Sequence, residues 1–161
     1  MTNRVFVVAD THFGHKNILN FEKEYRPFSS IEEHDEALVD RWNSAVRPKD
    51  TVWHLGDVLF GFHNFPTLAR LNGIKRLVMG NHDRYPAVKY LEYFNSLHGA
   101  ASRSGYLLTH IPVNPNQFHR YKGNIHGHLH HNKLEDPRYV CVSVEHNNLA
   151  PVLLDRIIEG S

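Results

Sequence analysis

Apolar residues fall along the chain in short runs, at 4–9, 51–55, 74–79, 105–109 and 138–144, each rich in β-branched or aromatic side chains. Runs of that length and make-up predict buried or half-buried strands. A different period separates the first two. Ser30-Ile31-Glu32-Glu33 is a capping-box pattern, after which Ile31, Leu38, Trp42 and Val46 share one helical face until Pro48 forbids continuation, so a helix is expected over 30–46. A second helix is expected from Pro66 to Asn72, stopped by Gly73, and a third from about Pro86 with Val88, Leu91 and Phe94 or Tyr93 inward. Further on, strands near 105–109, 123–126, 138–144 and 151–154 follow one another with loops and no long helix between them. The expected architecture is a single domain over 1–161, an α/β first half joined to a strand-rich second half. The longest loop, 112–122, begins two residues after His110.

Composition narrows the class without naming an activity. With 41% apolar and 22% charged residues the chain is globular and not disordered, and 161 residues bury a real core without disulfides or structural zinc. The single cysteine, Cys141, lies within the apolar run Tyr139–Val142 and reads as a small buried hydrophobe, which suits a reducing compartment. The first apolar run is too short for a signal-peptide core and meets Asp10 and His12 at once, so a cytoplasmic location is expected. A net charge of +1 offers no broad basic surface, so any nucleic acid must be recognised locally. The unusual count is 14 histidines, spread through the chain, and it points toward metal.

Five apolar runs end in the same way: Ala9-Asp10-Thr11-His12, Leu55-Gly56-Asp57, Met79-Gly80-Asn81-His82, Leu108-Thr109-His110 and Gly127-His128-Leu129-His130. In open α/β sheets ligands bind beyond the carboxyl ends of strands, where loops converge on a rigid frame. One metal would take Asp10, His12, Asp57 and His130; a second would take Asp57, Asn81, His110 and His128. Asp57 is the bridge because a carboxylate has two oxygens for two cations about 3.5–4 Å apart. Nitrogen and oxygen donors without thiolate suit Mn, Fe or Zn better than Ca or Mg, with Mn favoured.

The ordered set Asp10-x-His12, Gly56-Asp57, Gly80-Asn81-His82-Asp83, His110 and Gly127-His128-x-His130 resembles the calcineurin-like metallophosphoesterase superfamily, in its small bacterial or phage form. The resemblance implies a four-layer α/β/β/α sandwich of two facing mixed sheets, two divalent metal ions at the residues above, and hydrolysis of phosphomonoester or phosphodiester bonds. It assigns His82 the contact to phosphate and protonation of the leaving oxygen, with an acidic neighbour, here Asp83, tuning it. The nucleophile expected is a metal-bridging hydroxide. The substrate is a phosphate ester, with a nucleotide or nucleic-acid end within its range, and no membrane or dedicated protein partner is inferred.

Where the family often has Gly after the first His, this chain has Phe13 and then Gly14-His15-Lys16-Asn17. His15, Asn17 and Arg84 are therefore the candidate substrate contacts. Lys16, Arg26, Tyr85, His119, Arg120, Tyr121 and Lys122 flank the motif loops as ordinary solvated side chains. His34, His54, His63, His98, His131 and His146 read as surface or core residues, and His126 as a supporting residue behind the ligands. The main alternative is a non-catalytic scaffold that keeps the fold; loss of a ligand or of His82 would mark it, and none is lost. An amide or thioester metallohydrolase is disfavoured because its His-x-His-x-Asp-His run is absent.

Overall fold

Alternation along the first strand sets the layering. Phe6 and Val8 join one buried cluster, with Leu38, Trp42, Val46 and Phe65, while Val7 and Ala9 join another, with Leu55, Val78, Leu108 and Ile125. A strand buried on both faces lies between helices and a second sheet. The computed structural model describes residues 3–160. In chain order the elements are β1 (Val5–Val8), α1 (Ile18–Phe21), α2 (Ile31–Ala45), β2 (Thr51–His54), a 3-10 segment (Phe62–Arg70), β3 (Ile74–Val78), α3 (Ala87–Tyr90), β4 (Ser96–His98), β5 (Ala101–Arg103), β6 (Tyr106–Leu108), β7 (Gly123–His126), β8 (Tyr139–Cys141), β9 (Val152–Leu153) and α4 (Leu154–Glu159).

Two mixed sheets result, ordered β4-β3-β2-β1-β9 and β5-β6-β7-β8. All pairings are parallel except β1 with β9 and β5 with β6. The second cluster is the interior between the sheets, and the first is the seam between the five-stranded sheet and α2. This is the expected α/β sandwich. Over the outer face of the smaller sheet lies the 112–122 loop: Val113 N–H donates to Asn124 Oδ1 at 2.9 Å, and Phe118 packs edge-on against Tyr139. Among the described residues no helix is long and apolar enough to cross a membrane.

The helix over 30–46 forms with Ser30 as its N-cap, whose hydroxyl accepts Glu33 N–H at 3.1 Å. Two other helices differ from expectation. The segment expected over 66–72 starts at Phe62 and is 3-10, because Pro66 falls inside it and cannot supply an α-helical N–H. At α3 and just beyond it Phe94 is buried as expected, but its inward companion is Tyr90, and Val88 and Leu91 are exposed. The larger rings at i and i+4 fill the gap beside Phe65 and His54, with centroid separations of 5.2 and 6.3 Å. The short elements α1, β4, β5 and α4 carry no periodic signal long enough to read.

Candidate metal centre

At one end of the sandwich the two sheets are stitched together. Ala9 N–H donates to Val142 O at 3.0 Å and Val144 N–H to Ala9 O at 3.1 Å, an isolated bridge that joins the end of β1 to the residues just after β8. Beyond β2, Asp10 N–H donates to Gly56 O and His12 N–H to Asp57 O, at 2.9 and 3.2 Å. The loops after β1, β2, β3, β6 and β7 therefore converge, and all seven expected ligands stand on them. Gly56 and Gly80 make this possible. A Cβ on Gly56 would come within 2.7 Å of Gly80 Cα and His110 Nδ1, and one on Gly80 within 2.6 Å of Asp57 N. Gly56 also has φ +100°, open to glycine and rare for other residues.

Asp10, His12, Asp57, His128 and His130 all adopt positive φ, between 50° and 74°. Non-glycine residues visit that region rarely, and such strain concentrates at functional sites. The turn re-aims each side chain inward at its strand end. His12 Nε2 is 3.8 Å from Asp10 Oδ1 and 3.7 Å from Asp57 Oδ2, and His110 Nε2 is 3.3 Å from Asp57 Oδ2. Asn81 Oδ1 lies 2.9 Å from His110 Nε2 and 3.1 Å from His128 Nδ1. Two groups, Asp10–His12–His130 and Asp57–His110–His128, each bring their ligand atoms within 4.8 Å of one another.

The far side of each ligand is pinned. Asp10 Oδ2 accepts His128 N–H at 2.8 Å and the Ser143 hydroxyl; Asp57 Oδ1 accepts His82 N–H at 2.9 Å. His110 Nδ1 donates to Leu55 O at 2.7 Å, His130 Nδ1 pairs with Glu145 Oε2 at 3.0 Å, and His12 Nδ1 with His15 Nδ1 at 3.0 Å. Because Nδ1 of His110 donates, its Nε2 turns a lone pair toward two acceptor oxygens, an arrangement that asks for a cation or a second proton. Asp10 Oδ1 and His12 Nε2 are buried without any hydrogen-bond partner. Buried polar atoms are almost always satisfied, so these orphans fit metal ligands. Burial alone would raise the carboxyls of Asp10 and Asp57. The surrounding histidines outweigh it and hold both well below the usual carboxylate range, ready to ligate.

Around this cluster the remaining expected residues divide. The His82 side chain is exposed; its ring centroid lies 5.3 Å from Phe60 and 6.2 Å from His12, at the edge of the cluster. Asp83 needs correcting as a tuning partner for it. Its buried carboxylate accepts the N–H groups of Asp57, Val58 and Gly80 at 2.8, 3.0 and 2.7 Å, so its acceptors are taken by backbone and it clamps the β2 and β3 loops together. Burial and the nearby Asp57 charge push its carboxyl up. His15 is also drawn inward: it backs His12 and stacks on Phe60 at 3.9 Å between centroids, and burial together with neighbouring positive groups pulls its pKa down to about 4. Arg84 is exposed with Nε donating to Asn81 O at 3.2 Å, and Asn17 is exposed at the start of α1 with no side-chain cap bond. His126 is buried behind the ligands, its Nδ1 bonded to Gly127 O at 2.7 Å. Cys141 is half-buried, and burial pushes its thiol up, away from the reactive thiolate.

Two residues behind the cluster escaped sequence reasoning. Arg26 is not a solvated rim residue; it is fully buried. Glu145, paired with it, ends the apolar run Tyr139–Val144 and so shows the same apolar-run-then-acid pattern as the Asp10 and Asp57 loops, the one signal that pointed to it.

Comparison with known proteins bears on the whole chain. A protein of Methanocaldococcus jannaschii described as uncharacterised is 33% identical over 170 residues, spanning 97% of this chain and 90% of that one. The gene 66 protein of Mycobacterium phage L5 is 39% identical over 89 residues, spanning 52% of this chain and 41% of its own length. A crystal structure of a protein of unknown function from Aquifex aeolicus superposes with a TM-score of 0.79 at 26% identity, covering 99% of this chain and all of that one. The family described as calcineurin-like phosphoesterase matches residues 3–155. With its strand-end loops carrying grouped Asp and His side chains fit for metal, the chain belongs to the calcineurin-like phosphoesterase family.

Proposed function

We propose that the chain hydrolyses phosphomonoesters or phosphodiesters at a centre of two divalent cations, one held by Asp10, His12, Asp57 and His130 and the other by Asp57, Asn81, His110 and His128. The observation that carries this reading is the pair of orphaned buried atoms, Asp10 Oδ1 and His12 Nε2, facing each other at 3.8 Å with Asp57 Oδ2 beside them. Manganese, iron or zinc would each suit this thiolate-free set of carboxylate, amide and imidazole donors. Two such cations supply Lewis acidity and a water ionised near neutral pH.

The protein's own groups do the rest. Asp57 Oδ1, fixed by His82 N–H, leaves Oδ2 for the space between the two ligand groups. His82 protonates the departing oxygen; its exposed ring, without a side-chain hydrogen bond among the described residues, suits a group that meets substrate. Arg84 and Asn17 lie on the exposed rim, open to a second phosphate or a sugar, which suits a nucleotide or a nucleic-acid end as substrate. The test is protein stripped with chelator, reloaded separately with Mn, Fe and Zn, and assayed on p-nitrophenyl phosphate, bis-p-nitrophenyl phosphate and 2′,3′-cyclic nucleotides. Turnover restored by at least one metal is expected, and none under any condition would overturn the proposal. His82→Ala should keep both metals and lose about 100- to 10,000-fold in turnover; Asp57→Ala should lose metal at both positions.

A further inference from the structure

Arg26 is the least expected side chain in the molecule: a guanidinium with no solvent exposure, in a stretch between α1 and α2. Four of its five side-chain hydrogen bonds run to residues behind the candidate metal centre, and the fifth ties it to α2. Nη2 donates to Asp10 O and, at 2.9 Å, to Glu145 Oε2; Nη1 donates to Thr11 O at 3.0 Å and His34 Nε2 at 3.1 Å; Nε donates to Glu145 Oε2 at 3.0 Å. The backbone of Asp10 and Thr11 enters the left-handed turn that aims Asp10 and His12, so Arg26 grips that turn from behind. The same Glu145 oxygen sits 3.0 Å from His130 Nδ1.

The chemistry of the three partners fixes one proton arrangement. Glu145 Oε2 is an acceptor only, so His130 Nδ1 carries the proton and Nε2 carries the lone pair that a cation needs. His34 accepts from Arg26 at Nε2, so its Nδ1 donates to Asp35 Oδ1 at 2.8 Å, and Asp35 in turn takes Gly14 N–H, at 3.0 Å to Oδ2. The path runs from α2 through Arg26 to Glu145 and His130. A buried ion pair is by itself weak ground for stability, since apolar residues of like volume often serve as well. Here both partners are committed to ligand-bearing atoms, which a tether between loops would not require.

We infer that Arg26 and Glu145 are positioning residues for one metal position: Glu145 sets His130 as an Nε2 donor, and Arg26 holds Glu145 and the Asp10–Thr11 turn in register with it. This rests on the proposed role of His130 as a ligand. In metal sites such supporting partners are worth about 10- to 100-fold in affinity.

The test is titration of the chelator-stripped chain with Zn or Co against a chromophoric competitor. Glu145→Gln is expected to weaken one position by about 10- to 100-fold and leave the other near wild type. Glu145→Asp keeps the charge but draws it away from His130, and should weaken the same position less; it also serves if Glu145→Gln does not fold. In a His130→Ala background, Glu145→Gln should add clearly less than it costs the wild type, because much of its effect runs through that ring. Asp50→Asn, which breaks the remote Arg4 ion pair, controls for destabilisation and should leave both affinities unchanged. Wild-type affinity in the Glu145 variants, equal loss at both positions, or a full additive effect on His130→Ala would each overturn the inference. A wild-type chain that takes up no metal would instead sink the proposed function, and this inference with it.

Discussion

Acidification should destabilise this protein through one histidine above the rest. His54 is buried at the end of β2. The Thr11 hydroxyl donates to Val58 O at 2.7 Å, so it can only accept from His54 Nε2, 2.9 Å away. On the other side Gly56 N–H donates to His54 Nδ1 at 3.0 Å. Both ring nitrogens are thus satisfied in the neutral form, and a proton on Nδ1 would face a donor with no acceptor in reach. Burial accordingly pulls the pKa from 6.5 down to about 3. A depressed histidine contributes nothing to the pH dependence above its unfolded pKa, and its stability is lost as pH falls from there toward the folded value. Linkage puts the loss between pH 7 and pH 5 at about 2 kcal/mol, with a limiting slope of about 1.4 kcal/mol per pH unit. The assay is urea unfolding of metal-free protein at a series of pH values, wild type beside His54→Asn, which can still offer an oxygen to Gly56 N–H but does not titrate. The variant starts less stable, by about 1–3 kcal/mol for the lost Thr11 bond and ring packing, and its curve should be flatter by the stated 2 kcal/mol. Equal losses from pH 7 to pH 5 in the two proteins would refute the assignment.

Further outcomes follow from groups on the same frame. Asp83→Ala strands the N–H groups of Asp57, Val58 and Gly80 and should cost about 3–5 kcal/mol by denaturant unfolding. Asp83→Asn keeps one acceptor oxygen and should cost less; parity of the two would count against the clamp. Gly80→Ala drives a methyl into the Asp57 backbone and should cost about 1–3 kcal/mol together with weaker metal uptake, read by melting and by metal analysis after gel filtration. Asp50, paired with Arg4 at 2.6 Å, is subject to burial that would raise its carboxyl, but the Arg4 and Arg47 bonds prevail and hold it low. Its contribution is therefore present above the ordinary carboxylate range and lost as pH falls through the depressed value; Asp50→Asn should flatten the acid limb of the stability curve, and an unaltered limb would show that the pair contributes nothing.

The loops carrying Asp10, Asp57, Asn81 and His110 were legible because each follows a run of apolar residues that reads as a strand, and a strand end in an α/β sheet is already a place where side chains meet; the His128 and His130 loop follows Gly123–His126, with one apolar residue in four, and was legible only from its Gly-His-x-His spacing. The capped α2 was legible for a similar reason, since Ser30, Glu33 and the spacing of Ile31, Leu38 and Trp42 all agree. What the chain hides is decided by tertiary choice. α3 could bury Val88 and Leu91 or Tyr90 and Phe94, both at helical spacing, and the space beside Phe65 selects the rings. Asp83 and His82 are adjacent in sequence yet face different tasks, because one side chain turns under the loop to backbone N–H groups and the other turns out. Arg26 looks like any arginine before a proline; only the depth at which its loop crosses the Asp10 turn makes it an interior cation.

The left-handed backbone at Asp10, His12, Asp57, His128 and His130 sets this chain's function against its own stability. At each of those positions glycine would relax a conformation that costs an ordinary residue about 1 kcal/mol or more. Selection for stability alone would drift toward replacing the ligands. Their presence together, at five positions where the backbone would be easier without them, is what a metal centre there would require, and variants chosen only for a higher melting temperature should lose metal uptake first.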